Sequence, residues 1–316
     1  SPLGLIVANK DWENWKEVMA SEPGPMPLEK VVTRPRPGHA DLVGAIKYGH
    51  RDIRNVLEKA SARETAIRVA IGGVAKAILA QFNIQVLSYT VEIGNVVAKR
   101  AATPEESYAR AEESDVRCPD AEAGRKMVEG IRAAKHKGDT LGGVFEVIVT
   151  NPHVGLGSYV QWDKRLSARL PMALMSIQAM KGVEIGMGFE AARRFGSEVH
   201  DDIFYDHEKS QFYRPTNNAG GLEGGMTNGE PIVLRVAMKP ISTLYSPKQS
   251  VDIKTKEPFE ATVERSDICT VPAAGVVGEA VVAYEMANAL LEKFSGDTLD
   301  EMKRNFDAYQ AYVKAF

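Results

Sequence analysis

The 316 residues are 44% apolar and 26% charged, with 39 basic against 42 acidic groups for a net charge of −3. That apolar content fills a buried core and excludes a disordered chain, and the near balance of charge excludes a polycation that grips nucleic acid or membrane surfaces indiscriminately. Two cysteines, Cys118 and Cys269, make no disulfide framework and point to a reducing, cytoplasmic setting. No apolar run approaches the ~20 residues of a membrane helix. The opening SPLGLIVANK has neither the basic region nor the apolar length of a signal peptide, and it lacks an initiator Met.

In chain order, residues 22–38 carry Pro23, Pro25, Pro27, Pro35 and Pro37 and read as partly extended loop. From Asp52 to about Phe82, apolar residues at three- and four-residue spacing predict a helix (Ile53, Val56, Leu57, Ala60, Ile67, Ile71, Val74, Ile78). Gly72 and Gly73 either kink it or admit a close neighbour. Residues 84–98 are β-branched and alternating, a strand; 102–137 are charged and alanine-rich, predicting helices with an exposed loop. Residues 142–150 predict a strand ended by Asn151-Pro152, and 166–181 a helix packed through Met172, Leu174, Met175, Ile177 and Met180. A glycine-rich stretch (216–230) precedes a strong strand (231–239), and the chain is helical from Ala273 onward with a break near Ser295-Gly296-Asp297. Strands and helices mix without a βαβ rhythm, so the class is α+β, and no low-complexity linker divides the 316 residues into separate domains.

Four constellations carry chemistry. Residues 34–76 hold nine basic and four acidic residues, suited either to a small multiply anionic ligand or to a solvated helix face with Glu–Lys pairs. Within it, Arg36-Pro37-Gly38-His39 puts a cation beside an imidazole on a loop, where sites are more common than cores. The stretch 216–231 either lets a backbone approach a ligand or is a long turn, and it lacks a Walker A ending. Lys239-Pro240-Ile241-Ser242-Thr243 follows a strand and either holds a phosphate or simply turns. Arg265-Ser266-Asp267 precedes an apolar run, so its charges are either partly desolvated or a surface pair. Gly186-Met187-Gly188 with Ala191 and Asp206 mimics a dinucleotide fingerprint, a nicotinamide (NAD or NADP) reading that the missing βαβ unit argues against. The histidines lack metal spacing, so no metal is expected; Cys269 reads as a small buried apolar residue, and Met172, Met175 and Met180 as core.

Four blocks, 34–68, 176–201, 217–243 and 265–287, together resemble chorismate synthase, and the likeness runs from Ser1 almost to Phe316. The resemblance implies a β-α-β sandwich with helices between antiparallel sheets, commonly a homotetramer. It implies conversion of 5-enolpyruvylshikimate 3-phosphate to chorismate and phosphate by anti-1,4-elimination. Reduced FMN is required without net redox change, and where the protein does not reduce its own flavin, a flavin reductase supplies it. By match to the family motifs, Arg36 and Arg63 grip substrate. Lys59, Ala60, Ser61, Gln178, Ala179, Gly224 and Lys239, Pro240, Ile241, Ser242 and Thr243 line the flavin site, with Arg265 between flavin and substrate. His39 is implied as proton donor to the reduced flavin and Asp267 as proton acceptor. Position 59 is Lys where many members have Arg. The family's opening Gly-Glu-Ser-His-Gly motif, with the arginine-rich segment after it, does not precede Ser1, which leaves a truncated, non-catalytic flavin-binding remnant as the alternative.

Overall fold

The computed structural model describes residues 2–17, 19–20 and 31–316, so most of the proline-rich loop expected over 22–38 lies outside the described residues. Two compact units are formed by interleaved segments: residues 1–67, 131–141 and 240–269 in one, and 68–130, 142–239 and 270–316 in the other.

In the first unit, residues 31–36 run extended into α1 (Asp41–Tyr48) and α2 (Arg54–Lys59). Val32, Ala45, Ile53, Val56, Leu57 and Ile253 close its small core. The extended segment is pinned on both sides. Asp52 accepts hydrogen bonds from the backbone N–H groups of Val32 and Arg54, both 2.9 Å. Thr33 meets Asp252, and Ser250 Oγ donates to the Pro35 carbonyl at 2.6 Å. The Arg34 guanidinium lies 3.8 Å above the Phe259 ring, on a small hairpin of β10 (Gln249–Val251) and β11 (Pro258–Glu260).

The continuous helix expected over 52–82 is interrupted. After α2 the chain turns extended at Ser61, whose hydroxyl accepts from the Arg63 N–H at 3.3 Å, makes a 3-10 turn, and re-enters helix as α3 (Thr65–Ala80). Serine's local bond to the backbone competes with the helical ladder, which apolar spacing alone does not register.

In the second unit, β1 (Gln85–Ile93) turns back as β2 (Val96–Val97), helices α4 (Pro104–Glu112) and α5 (Ala121–His136) follow, and β3 (Gly143–Thr150) returns to β1. Next come α6 (Leu166–Met175), β4 (Met180–Ile185), a single turn α7 (Gly196–Val199), and two hairpins, β5 (Phe204–Asp206) with β6 (Gln211–Tyr213), and β7 (Leu222–Glu223) with β8 (Met226–Thr227). Strand β9 (Ile232–Met238) and helices α8 (Val271–Phe294) and α9 (Leu299–Ala315) complete the chain. The main sheet has the order β2-β1-β3-β9-β4, antiparallel at every pair, as the α+β class requires.

Helix α8 lies on one face of this sheet. A Cβ on Gly275 would stand 3.0 Å from Ser88 Oγ, and one on Gly278 2.7 Å from the Phe145 ring. Gly72 of α3 is the close neighbour its sequence hinted at, and α3 carries no break there: a Cβ at 72 would lie 2.3 Å from the Ala280 Cβ and 2.5 Å from its Cα. By length and composition α8 passes for a membrane span, in contrast to the reading from apolar runs, but 72% of its apolar window is buried.

Further expectations fail. The helix read over 166–181 ends at Met175, and Met180 opens strand β4. Helix α6 buries Leu166, Leu170 and Leu174, a row at four-residue spacing, so Met172 and Met175 face outward and only Met180 is core. The segment after α4 is not fully exposed either: Val116 and Cys118 are buried, and the Arg117 carbonyl accepts from the Thr90 N–H at 2.8 Å. Cys269, expected to be buried, is half-buried.

Candidate functional site

Arg36-Pro37-Gly38-His39 folds as a turn of the type II kind. The His39 N–H donates to the Arg36 carbonyl at 3.3 Å, with proline second and Gly38 third at φ +77°. Ser242 Oγ donates to the Gly38 carbonyl at 2.8 Å and ties the turn to the segment after Pro240. The turn delivers the two side chains to one carboxylate, that of Asp41 at the start of α1.

Asp41 is 1% exposed. Its Oδ2 accepts from the Arg36 backbone N–H and from Arg36 Nε, each at 2.9 Å. Its Oδ1 meets His39 Nδ1 and lies 3.3 Å from Arg36 Nη2. Arg36 Nη1 donates to Thr243 Oγ1 at 2.8 Å, and Nη2 sits 3.1 and 3.3 Å from the two nitrogens of His39. Arg36, with its side chain 10% exposed, is thus held largely by the protein, while the His39 ring, 23% exposed, keeps an edge toward solvent.

Burial by itself would raise the Asp41 carboxyl. Hydrogen bonds from His39 and Arg36, aided by the Arg36 charge, outweigh it and bring the pKa from 3.8 down to about 2. A carboxyl depressed on folding stabilises the fold above its unfolded pKa and loses that contribution as pH falls through the folded value. The expected result is a loss of about 2 kcal/mol of stability as pH drops from 3.8 toward 2. Urea denaturation across that window should show a flatter profile for Asp41→Asn than for the wild type.

Asp41 was not singled out from the sequence. The signal available was a His-x-Asp pair at a helix start, ambiguous with the ordinary preference for acids in a first helical turn. The other expected residues of this unit lie as follows. Lys59 ends α2 exposed, Ala60 caps it, and Ser61 makes the break that follows. Arg63, 54% exposed, pairs with Glu58 at 3.0 Å and Asp11 at 3.1 Å. The Ile241 carbonyl accepts from Thr140 Oγ1 at 2.8 Å, Pro240 opens the segment, and Thr243 is 3% exposed. Arg265 and Asp267 are both exposed rather than desolvated, and the Arg265 charge, among other causes, helps lower the Asp11 carboxyl.

In the second unit, Gln178 and Ala179 link α6 to β4. Ala179 has φ +69°, and its carbonyl accepts from the Lys239 N–H at 3.0 Å. Burial, with the Lys181 cation beside it, pushes the Lys239 ammonium down. Gly224, φ +60°, sits at the tip of the β7–β8 hairpin, where a Cβ would lie 3.8 Å from the Tyr159 Cβ and 3.9 Å from the Met226 Cε. Gly186, by contrast, serves chain packing: a Cβ there would lie 2.2 Å from the Asn218 carbonyl oxygen. With β4 antiparallel to β9 and only a 3-10 turn after it, the dinucleotide likeness has no structural counterpart. This unit also holds a cavity of about 390 Å³ whose walls include Tyr89, Arg100, Glu146, Asn218 and Arg235, and none of the expected site residues lines it.

Hydroxyls and lysine and arginine cations are the groups that bind a phosphate-bearing anion, and the residues present fit a flavin mononucleotide on that ground. The family profile described as chorismate synthase matches residues 1–291. Chorismate synthase of Geobacter sulfurreducens is 58% identical over all of this chain and 82% of its own length. That of Desulforamulus reducens is 57% identical over 99% of this chain and 81% of its own, and chorismate synthase 1 of Bacillus cereus is 55% identical over 100% and 82%. A crystal structure of chorismate synthase superimposes with a TM-score of 0.77 at 48% identity, covering 88% of this chain and 77% of its own. The chain therefore belongs to the chorismate synthase family.

Proposed function

We propose that the protein is a lyase that converts 5-enolpyruvylshikimate 3-phosphate to chorismate and phosphate with reduced FMN. Identity of 58% across the whole chain carries the reading, and the Arg36–His39–Asp41 cluster supports it. The elimination breaks one C–O bond to release phosphate and one ring C–H bond, forming a C=C bond. Reduced FMN supplies transient electron density as the phosphate leaves.

The protein's own part is charge compensation and proton handling. The substrate carries two carboxylates and a phosphate, and uncompensated charge of that size is costly to desolvate. Arg36 and Arg63 grip it, Arg36 through the N–H groups left over from Asp41 and Thr243. Lys59, Ala60, Ser61, Gln178, Ala179, Gly224 and Lys239 to Thr243 would hold the flavin, and the Arg265 cation would serve flavin and substrate. With the flavin bound, His39 would donate a proton to it and Asp267 would accept the proton that the elimination releases, acid–base tasks for which these side chains are suited. A single catalytic domain over 1–316, working as a homotetramer in the cytoplasm with a flavin reductase as the source of reduced FMN, completes the reading. Exposed Phe189, Phe195, Phe204 and Phe212 support assembly, and Cys118 and Cys269, not joined in a disulfide, support a reducing compartment.

The test is phosphate release from 5-enolpyruvylshikimate 3-phosphate under anaerobic conditions, with FMN reduced by dithionite and oxidised FMN as the control. Release only with reduced FMN is expected. No release, or equal release with both forms, overturns the reading.

A further inference from the structure

We propose that Asp41 is a positioning residue for His39: it accepts the Nδ1 proton and so leaves Nε2 as the ring's working nitrogen. This rests on the proton-donor role proposed for His39. The geometry leaves the imidazole little choice. Its Nδ1 faces Asp41 Oδ1, an oxygen of a carboxylate with 1% exposure. The same carboxylate is itself fixed by the Arg36 backbone N–H and Nε, both at 2.9 Å, so it does not follow the ring if the ring turns. Arg36 is in turn fixed by Thr243 at 2.8 Å, and the turn bearing His39 by Ser242 at 2.8 Å.

A carboxylate kept ionised, with its pKa brought down to about 2, only accepts. Nδ1 must therefore carry the proton in the neutral ring. Nε2 is then the nitrogen that takes up and gives away a proton, and it lies on a side chain 23% exposed. Arg36 Nη2, 3.3 Å from Nε2, is a donor and offers no competing acceptor. A buried acid orienting an imidazole through Nδ1 is the arrangement by which hydrolytic triads hold the useful tautomer. Here it would serve proton donation from the far nitrogen instead.

Protein labelled with ¹⁵N-histidine reads the tautomer directly, with the His39 signals assigned from their loss in His39→Gln. The neutral ring of the wild type is expected in the Nδ1–H form, and a wild type in the Nε2–H form overturns the proposal without any variant. Asp41→Ala should mix the tautomers and lower kcat by on the order of 100-fold with little change in KM. Asp41→Asn, which keeps an oxygen acceptor, should retain the Nδ1–H form and recover much of that kcat. An Asp41→Ala protein with the wild-type tautomer, or with its loss confined to KM, overturns the assignment. Absence of phosphate release from the wild type would remove the functional reading, whereas the nitrogen spectra would still decide the role of Asp41.

Discussion

Alanine at His39 or at Asp267 should lower reduced-FMN-dependent phosphate release by about 10²–10⁴-fold, the usual contribution of a positioned acid or base, while the fold persists. The two positions make the separation clean. Asp267 is exposed, so its loss should move stability by no more than about 0.5 kcal/mol. His39 keeps part of its ring in solvent, and Asp41 retains three Arg36 contacts when the ring is removed. Thermal melting by circular dichroism alongside the phosphate assay reads both quantities. Variants that keep the wild-type rate would remove His39 and Asp267 from the chemistry, and variants that melt early would show that the rate loss came from folding.

Glu279→Ala should cost about 3 kcal/mol of stability, the lower end of what breaking a buried ion cluster costs. Glu279 sits inside α8 at 3% exposure. It accepts from Ser88 Oγ at 2.5 Å and Arg117 at 3.0 Å, and it pairs with Lys76. Removing the carboxylate leaves the Arg117 guanidinium, 18% exposed, with Glu112 and the Ser88 carbonyl as its remaining partners, while Lys76, 37% exposed, escapes to water, and both limit the loss. Urea denaturation measures it as a lower midpoint at unchanged slope. Glu279→Gln, which keeps an oxygen acceptor, should recover part of the difference, and an unchanged midpoint in Glu279→Ala would show the cluster to be energetically neutral.

The elements most legible in the sequence were those whose period matched their surroundings. Strands β1, β3 and β9 alternate or run apolar because they are central in the sheet, with α8 packed on β1 and β3. The break at Ser295-Gly296-Asp297 appeared because Thr298 caps α9 through its hydroxyl, accepting from Glu301 N–H at 3.2 Å. The misreadings have local causes of another kind. Met180 follows a helix whose spacing it continues by chance, yet that helix has already ended at Met175, and the left-handed Ala179 turns the chain into β4. At Ser61 a single hydroxyl outweighed ten residues of apolar periodicity.

The sequence by itself determined the class, the order of nearly all long elements, the family, and the turn that pairs Arg36 with His39, because each depends on local period, local turn chemistry or a linear match of blocks. Only the tertiary structure decided that Asp41 receives both side chains, that Thr243 closes the cluster from 207 residues away, and that Glu279 is the hub of a buried ion group joining Lys76, Ser88 and Arg117. The Thr243 and Glu279 contacts join residues distant in the chain, and burial selects them by leaving each polar group little water to bond to. Spacing along a sequence carries no record of that selection.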